Sequence, residues 1–111
     1  METKMIAPDG IITKLPELET FNQCWRFFKT RFDEPMVEVT NVRIDGDTYI
    51  ALIDEDGISK RLPYNPVASA YAEVAHAYHS SGLANRRPAL LGHVLVCATS
   101  ATKDYFTNDG E

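Results

Sequence analysis

Residues 35–61 read PMVEVTNVRIDGDTYIALIDEDGISKR, and their reading decides the fold. Two runs rich in Val, Ile, Thr and Tyr are separated by Asp45-Gly46-Asp47, and an Asp-Gly pair between β-type runs is a strong hairpin signal. Pro35 suits the beginning or edge of a strand, because it has no N–H to give a ladder. Val37 and Val39 alternate with Glu38 and Thr40, and Ile50 and Leu52 alternate less cleanly with Thr48 and Ala51. That pattern predicts a sheet with one face wet. Asp56-Gly57 then turns the chain into Ile58-Ser59-Lys60-Arg61-Leu62, so the expectation is a three-stranded meander.

Upstream, Lys4–Ala7 and Ile11–Lys14 read as short strands joined by Pro8-Asp9-Gly10, residues that suit a tight turn. After Pro16, Leu18, Phe21, Trp25, Phe28 and Phe32 recur at steps of three or four. Glu17 and Glu19 come early, and Lys29 and Arg31 late, as a helix dipole favours. The aromatic stripe is read as core packing rather than as a cofactor or stacking box.

Downstream, Pro63 ends strand pairing, Asn65 is a favoured N-cap and Pro66 fits the first helical position, where its missing N–H costs nothing. From there Val67, Tyr71, Val74 and Tyr78 form a narrow apolar stripe, with Ser69, Glu73, His76 and Ser80 opposite, over a helix running to Ser80 and stopped by Gly82. The apolar run Ala89–Ala98, interrupted by Gly92 and His93, predicts a strand in the sheet centre. Residues 99–111 read as a loose tail.

The 111 residues fit one domain, with a core over about residues 4–98. With 44% hydrophobic and 24% charged residues the chain has an ordinary globular composition. Its net charge of −5 argues against binding duplex nucleic acid. No secretory signal pattern and no apolar run of about 20 residues is visible, which predicts a soluble protein of the cytoplasm with no membrane contact. Cys24 and Cys97 sit among apolar or aromatic neighbours and read as two buried, reduced thiols.

Sites of chemistry are few. Glu73, His76 and His79 form E-x-x-H-x-x-H, but at about 100° per residue Glu73 and His79 lie about 120° apart around a helix, too far to converge on one ion. His76 and His79, completed from elsewhere, are the remaining metal candidates, and they would belong to a metal-dependent enzyme. Ser69, Ser80, Ser81 and Cys97 lie in no nucleophile motif, and no phosphate-binding glycine loop occurs. No catalytic residue is assigned and no cofactor is called for. The basic doublets Lys60-Arg61 and Arg86-Arg87 flank the second helix; if their loops meet, they could bind or sequester a phosphate-bearing or nucleotide ligand. An acidic set, Asp33, Glu34, Asp45, Asp47, Asp54, Glu55 and Asp56, could engage a basic protein surface or imitate nucleic-acid phosphate.

The order of elements resembles a domain-of-unknown-function family of small proteins carried by phages and plasmids. The resemblance rests on an acidic-Gly turn (Asp56, Gly57), a Leu-Pro-x-Asn segment (Leu62, Pro63, Asn65) and a glycine-containing apolar strand (Gly92, Leu95, Val96), and spans roughly Lys4 to Ala98. It implies an accessory protein acting inside a bacterial host and carries no activity or catalytic residue with it. The combined expectation is a single α+β domain, a mainly antiparallel sheet of about five strands with two helices on one face. Asn65, Pro66, Gly57 and Gly92 are assigned structural roles. The favoured function is non-catalytic binding of a host protein that it modulates, with an open sheet edge able to close a homodimer.

Overall fold

A computed structural model describes residues 1–32, 35–72 and 89–102. The strands are β1 (Lys4–Ile6), β2 (Ile12–Lys14), β3 (Val37–Ile44), β4 (Asp47–Asp54) and β5 (Val94–Val96), and the helices are α1 (Phe21–Arg31) and α2 (Pro66–Ala70). The α+β class and the five-stranded sheet agree with the sequence, and every strand pairing is antiparallel. The strand order is β2-β1-β5-β4-β3. β5 therefore lies in the centre, with Val94, Leu95 and Val96 all buried, as the apolar run predicts.

Local chemistry explains the two hairpins. Asp45 (φ 53°) and Gly46 (φ 87°) both adopt left-handed conformations, the geometry whose twist matches that of the flanking strands in a two-residue hairpin. In the β1–β2 turn Gly10 has φ 93°, and the Asp9 carboxylate accepts the Ile11 N–H at 3.0 Å. α1 starts later than its acidic lead-in suggests. Thr20 is the N-cap, and it forms a capping box in which Thr20 Oγ1 accepts the Gln23 N–H at 3.1 Å and Gln23 Oε1 accepts the Thr20 N–H at 3.0 Å. Glu17 and Glu19 therefore precede the helix, whereas Lys29 and Arg31 do lie in its last turn.

The expected meander is not formed. Ile58–Leu62 turns instead of extending, and β5 takes the place beside β4. The reason is local: Leu62 N–H bonds to the Gly57 carbonyl at 2.9 Å and Arg61 N–H to the Ile58 carbonyl at 3.0 Å, with Arg61 at φ 57°. These are the paired bonds and left-handed residue of a Schellman closure after one helical turn. Asp54 Oδ1 also accepts the Asp56 N–H at 2.9 Å, bending the chain as soon as β4 ends.

The two helices cover opposite faces of the sheet rather than one. Met5, Ile50, Leu52, Leu95 and Cys97 point to the face packed by Leu18, Cys24 and Phe28 of α1 and its approach. The alternate residues Ile6, Ala51, Ile53, Val94 and Val96 pack with Val42, Ala68, Ala72 and Leu90 on the other. The central strands are thus dry on both sides, which corrects the expectation of a wet face. The period-2 alternation of strand side chains had separated two apolar sets, one for each layer.

α2 is also shorter than the periodicity implied. It ends at Ala70 with Tyr71 as C-cap, after which the Arg43 N–H bonds to the Tyr71 carbonyl at 2.7 Å and Ala72 bridges Val42 of β3. Pairing with a strand edge replaces helix propagation. Ser69, assigned to the solvent side, is 3% exposed, because its Oγ accepts the Leu90 N–H at 2.9 Å. Val74, Tyr78 and Gly82 lie outside the described residues. Residues 99–102, read as the start of a tail, form a helical turn whose Ala101 belongs to the core beside Cys24 and Cys97.

Candidate functional site

Among the described residues a concavity lies at the end of the sheet where β1 and β4 finish and β5 begins. It is a cleft of about 320 Å³ lined by Pro8, Phe28, Phe32, Asp54, Lys60, Leu62, Pro63, Gly92 and His93. Each wall has a local cause. Pro8 comes from the β1–β2 turn, and Phe28 and Phe32 project one helical turn apart from the end of α1, their ring centroids 4.9 Å apart. Asp54 closes β4. The β4–β5 register pairs Ala51 with Val96 and Leu52 with Leu95, which brings Asp54 and His93 to the same end of the sheet, where both line the cleft.

Asn65 does not line the cleft but ties together the segments around it. It is 0% exposed, and its Nδ2 donates to the carbonyls of Ile6 at 2.9 Å and Gly92 at 2.8 Å. Its Oδ1 caps α2 by accepting the Ala68 N–H at 3.0 Å, and its own N–H bonds to the Leu90 carbonyl at 2.9 Å. One side chain therefore joins the end of β1, the start of α2 and the approach to β5. Gly92 has φ 75°, which strains an L side chain, and a Cβ there would meet Leu62 Cδ1 at 2.8 Å, so the position favours glycine. The Gly57 position is likewise tight, 3.1 Å from Leu91 Cβ. Asn65 is the N-cap of α2 and Pro66 its first residue.

Polar groups are sparse in the cleft. Lys60 Nζ lies 2.7 Å from Asp54 Oδ2, with the carboxylate side chain 9% exposed and the ammonium side chain 43%. The His93 imidazole stacks at 4.9 Å against Phe32. Its pKa lies below the ordinary 6.5, first through loss of solvation and then through the nearby Arg31 charge, with Asp9 opposing. His93 is therefore neutral at pH 7, with one donor and one acceptor nitrogen. Phe32 and His93 also form a wall of a neighbouring hollow of about 290 Å³, lined by Met5, Ala7, Ile11, Thr13, Leu15, Phe27 and Arg31 as well.

A second polar knot holds the opposite end of the sheet. Thr3 is fully buried; its Oγ1 donates to the Leu18 carbonyl at 2.7 Å and accepts the Ala98 N–H at 2.8 Å. Cys24 and Cys97 are free and buried, as expected, and their side chains share a hydrogen bond, which together with burial pushes the Cys97 thiol upward. Cys97 accordingly stays protonated in the core.

Of the residues singled out in the sequence, Lys60 enters the cleft but is held by Asp54, and exposed Arg61 sits in the left-handed position of the Schellman closure. Arg86, Arg87, His76 and His79 lie outside the described residues. Among the described residues no group of three or more His, Cys, Asp or Glu side chains could hold a metal, and no helix is long and apolar enough to cross a membrane. The acidic set does not converge: Asp45 and Asp47 stand at the hairpin tip, whereas Asp54, Glu55 and Asp56 stand at the far end of β4, about 23 Å away at about 3.3 Å per residue. Asp33 and Glu34 are outside the described residues.

Sequence reasoning missed the cleft as a unit. Its residues come from five separate segments, and only the pairing of β5 with both β1 and β4 brings them together. The available signals were the two prolines, Pro8 and Pro63, and the Gly92-His93 interruption of an apolar run. Comparison with family models, with curated proteins and with solved structures finds no match.

Proposed function

We propose that the chain is a small non-catalytic accessory protein, of the kind carried by phages and plasmids, that binds a host protein in the bacterial cytoplasm and modulates it. The observation that carries this reading is the surface at the cleft end of the sheet. Met36 is 60% exposed and Ile58 84%, and Glu55 and Asp56 are exposed just ahead of Ile58 in the chain. The Glu55 N–H bonds to the Met36 carbonyl at 2.7 Å, which keeps this end of β3 against the 54–62 turn. Large apolar side chains among carboxylates suit a partner surface that is apolar at its centre and basic at its rim.

The turn is well anchored, so Ile58 can be changed without disturbing the core. Affinity capture from bacterial lysate should retain one host protein in stoichiometric amount on the wild type and lose it more than tenfold on Ile58→Glu. Equal recovery on both proteins would sink this surface. Native mass spectrometry of the same eluate reads subunit count, which tests the homodimer separately. Its natural seam is β2, an edge strand exposed at all three positions, whereas the outer edge of β3 is partly covered by residues 71 and 72.

A further inference from the structure

The cleft beside His93 has a chemistry of its own, independent of any macromolecular partner. Its apolar walls are Phe32, Pro8, Pro63 and Leu62, the almost fully buried Phe28 adding little surface; such walls take up a flat ring by stacking and exclusion of water. Its volume of about 320 Å³ lies at the small end of the range of about 300–1,000 Å³ typical of ligand sites. The polar groups are arranged without net charge. The Lys60 ammonium is matched by Asp54 at 2.7 Å, so an anion entering here would compete with a carboxylate already in place, and a cation would meet an ammonium. Among the described lining residues a charged guest would lose hydration and find no unopposed counter-charge. By contrast, the neutral His93 imidazole offers an amide-like edge one donor and one acceptor with no charge to desolvate, whereas Asp54 is already bonded at Oδ1 by the Asp56 N–H and at Oδ2 by Lys60.

We propose that this cleft is a binding site for an uncharged planar aromatic molecule of one or two rings carrying an amide or ring-nitrogen edge. The ring packs against Phe32 and Pro63, and the polar edge faces His93.

The test is a titration of ¹⁵N-labelled full-length protein with three molecules of equal shape and different charge: benzamide, benzoate and benzamidine. Benzamide should shift the backbone amides of Phe32, Gly92 and His93 saturably, with at least tenfold higher affinity than either charged analogue. His93→Phe keeps a ring against Phe32 and removes both nitrogens, and should weaken benzamide at least threefold in a protein whose spectrum remains folded. The proposal is overturned by no saturable shift at the cleft with any of the three, by benzoate or benzamidine binding as tightly as benzamide, or by unchanged benzamide affinity in His93→Phe. Failure here leaves the Ile58 surface standing, since Ile58 does not line the cleft.

Discussion

Asn65 illustrates how much one residue can hold. As a cap alone, its replacement by alanine would cost about 1 kcal/mol. The structure adds two buried carbonyls, of Ile6 and Gly92, that would lose their donor. Asn65→Ala should therefore destabilise the protein by about 2–4 kcal/mol in urea unfolding, and a loss near 1 kcal/mol would mean that water replaces the amide. Arg61 makes the opposite case. It holds a left-handed conformation at φ 57°, which disfavours an L side chain, so Arg61→Gly should raise stability by about 0.5–1 kcal/mol even after the extra chain entropy of glycine. His93 gives a pH dependence whose sign follows from its lowered pKa. As pH falls through about 6.5, the unfolded chain takes up a proton that the folded protein resists. Stability contributed by neutral His93 is therefore complete above that pH and is lost toward the lower folded value. Urea midpoints measured between pH 7.5 and 5.5 should slope in the wild type and flatten in His93→Gln.

At the scale of elements, legibility in the sequence tracks the range of the interaction. The Asp45-Gly46 hairpin, the Asn65-Pro66 helix start and the aromatic stripe of α1 are set by neighbours within a few residues, and each was readable; the central burial of β5 was readable from its unbroken apolar run, although its partners β1 and β4 are distant in sequence. Thr20→Ala, which removes the capping-box acceptor, should cost about 1 kcal/mol, measurable as a lower melting temperature with the α1 aromatic contacts otherwise intact. What was not readable involves choices between local and distant partners. Ile58–Leu62 has the residue types of a strand, but Arg61 in the left-handed region and the Asp54 side-chain bond close a helical turn first. The Val67–Tyr78 stripe has a helical period, yet Tyr71 and Ala72 find the edge of β3. Ser69 looks like a solvent residue until Leu90 is placed beside it. The cleft was hidden for the same reason, since Asp54 and His93 reach the same end of the sheet only through strand register.

At the scale of the whole molecule, the sheet is two hairpins joined by one three-residue strand. β1–β2 and β3–β4 each close locally, and only β5 connects them. Both cysteines lie at this junction, Cys24 on α1 and Cys97 just after β5. Alkylation by iodoacetamide should then be negligible in the native state and should follow global opening, with the two thiols reacting together as denaturant rises; rapid labelling of either in buffer would contradict their burial. The central place of β5 also bears on the order in which a ribosome delivers the chain. Four of the five described strands precede Val94, so until β5 is made β1 and β4 have no partner on their inner sides. Productive folding waits for the final strand, and until then the nascent protein presents two adhesive edges to chaperones or to another unfinished copy.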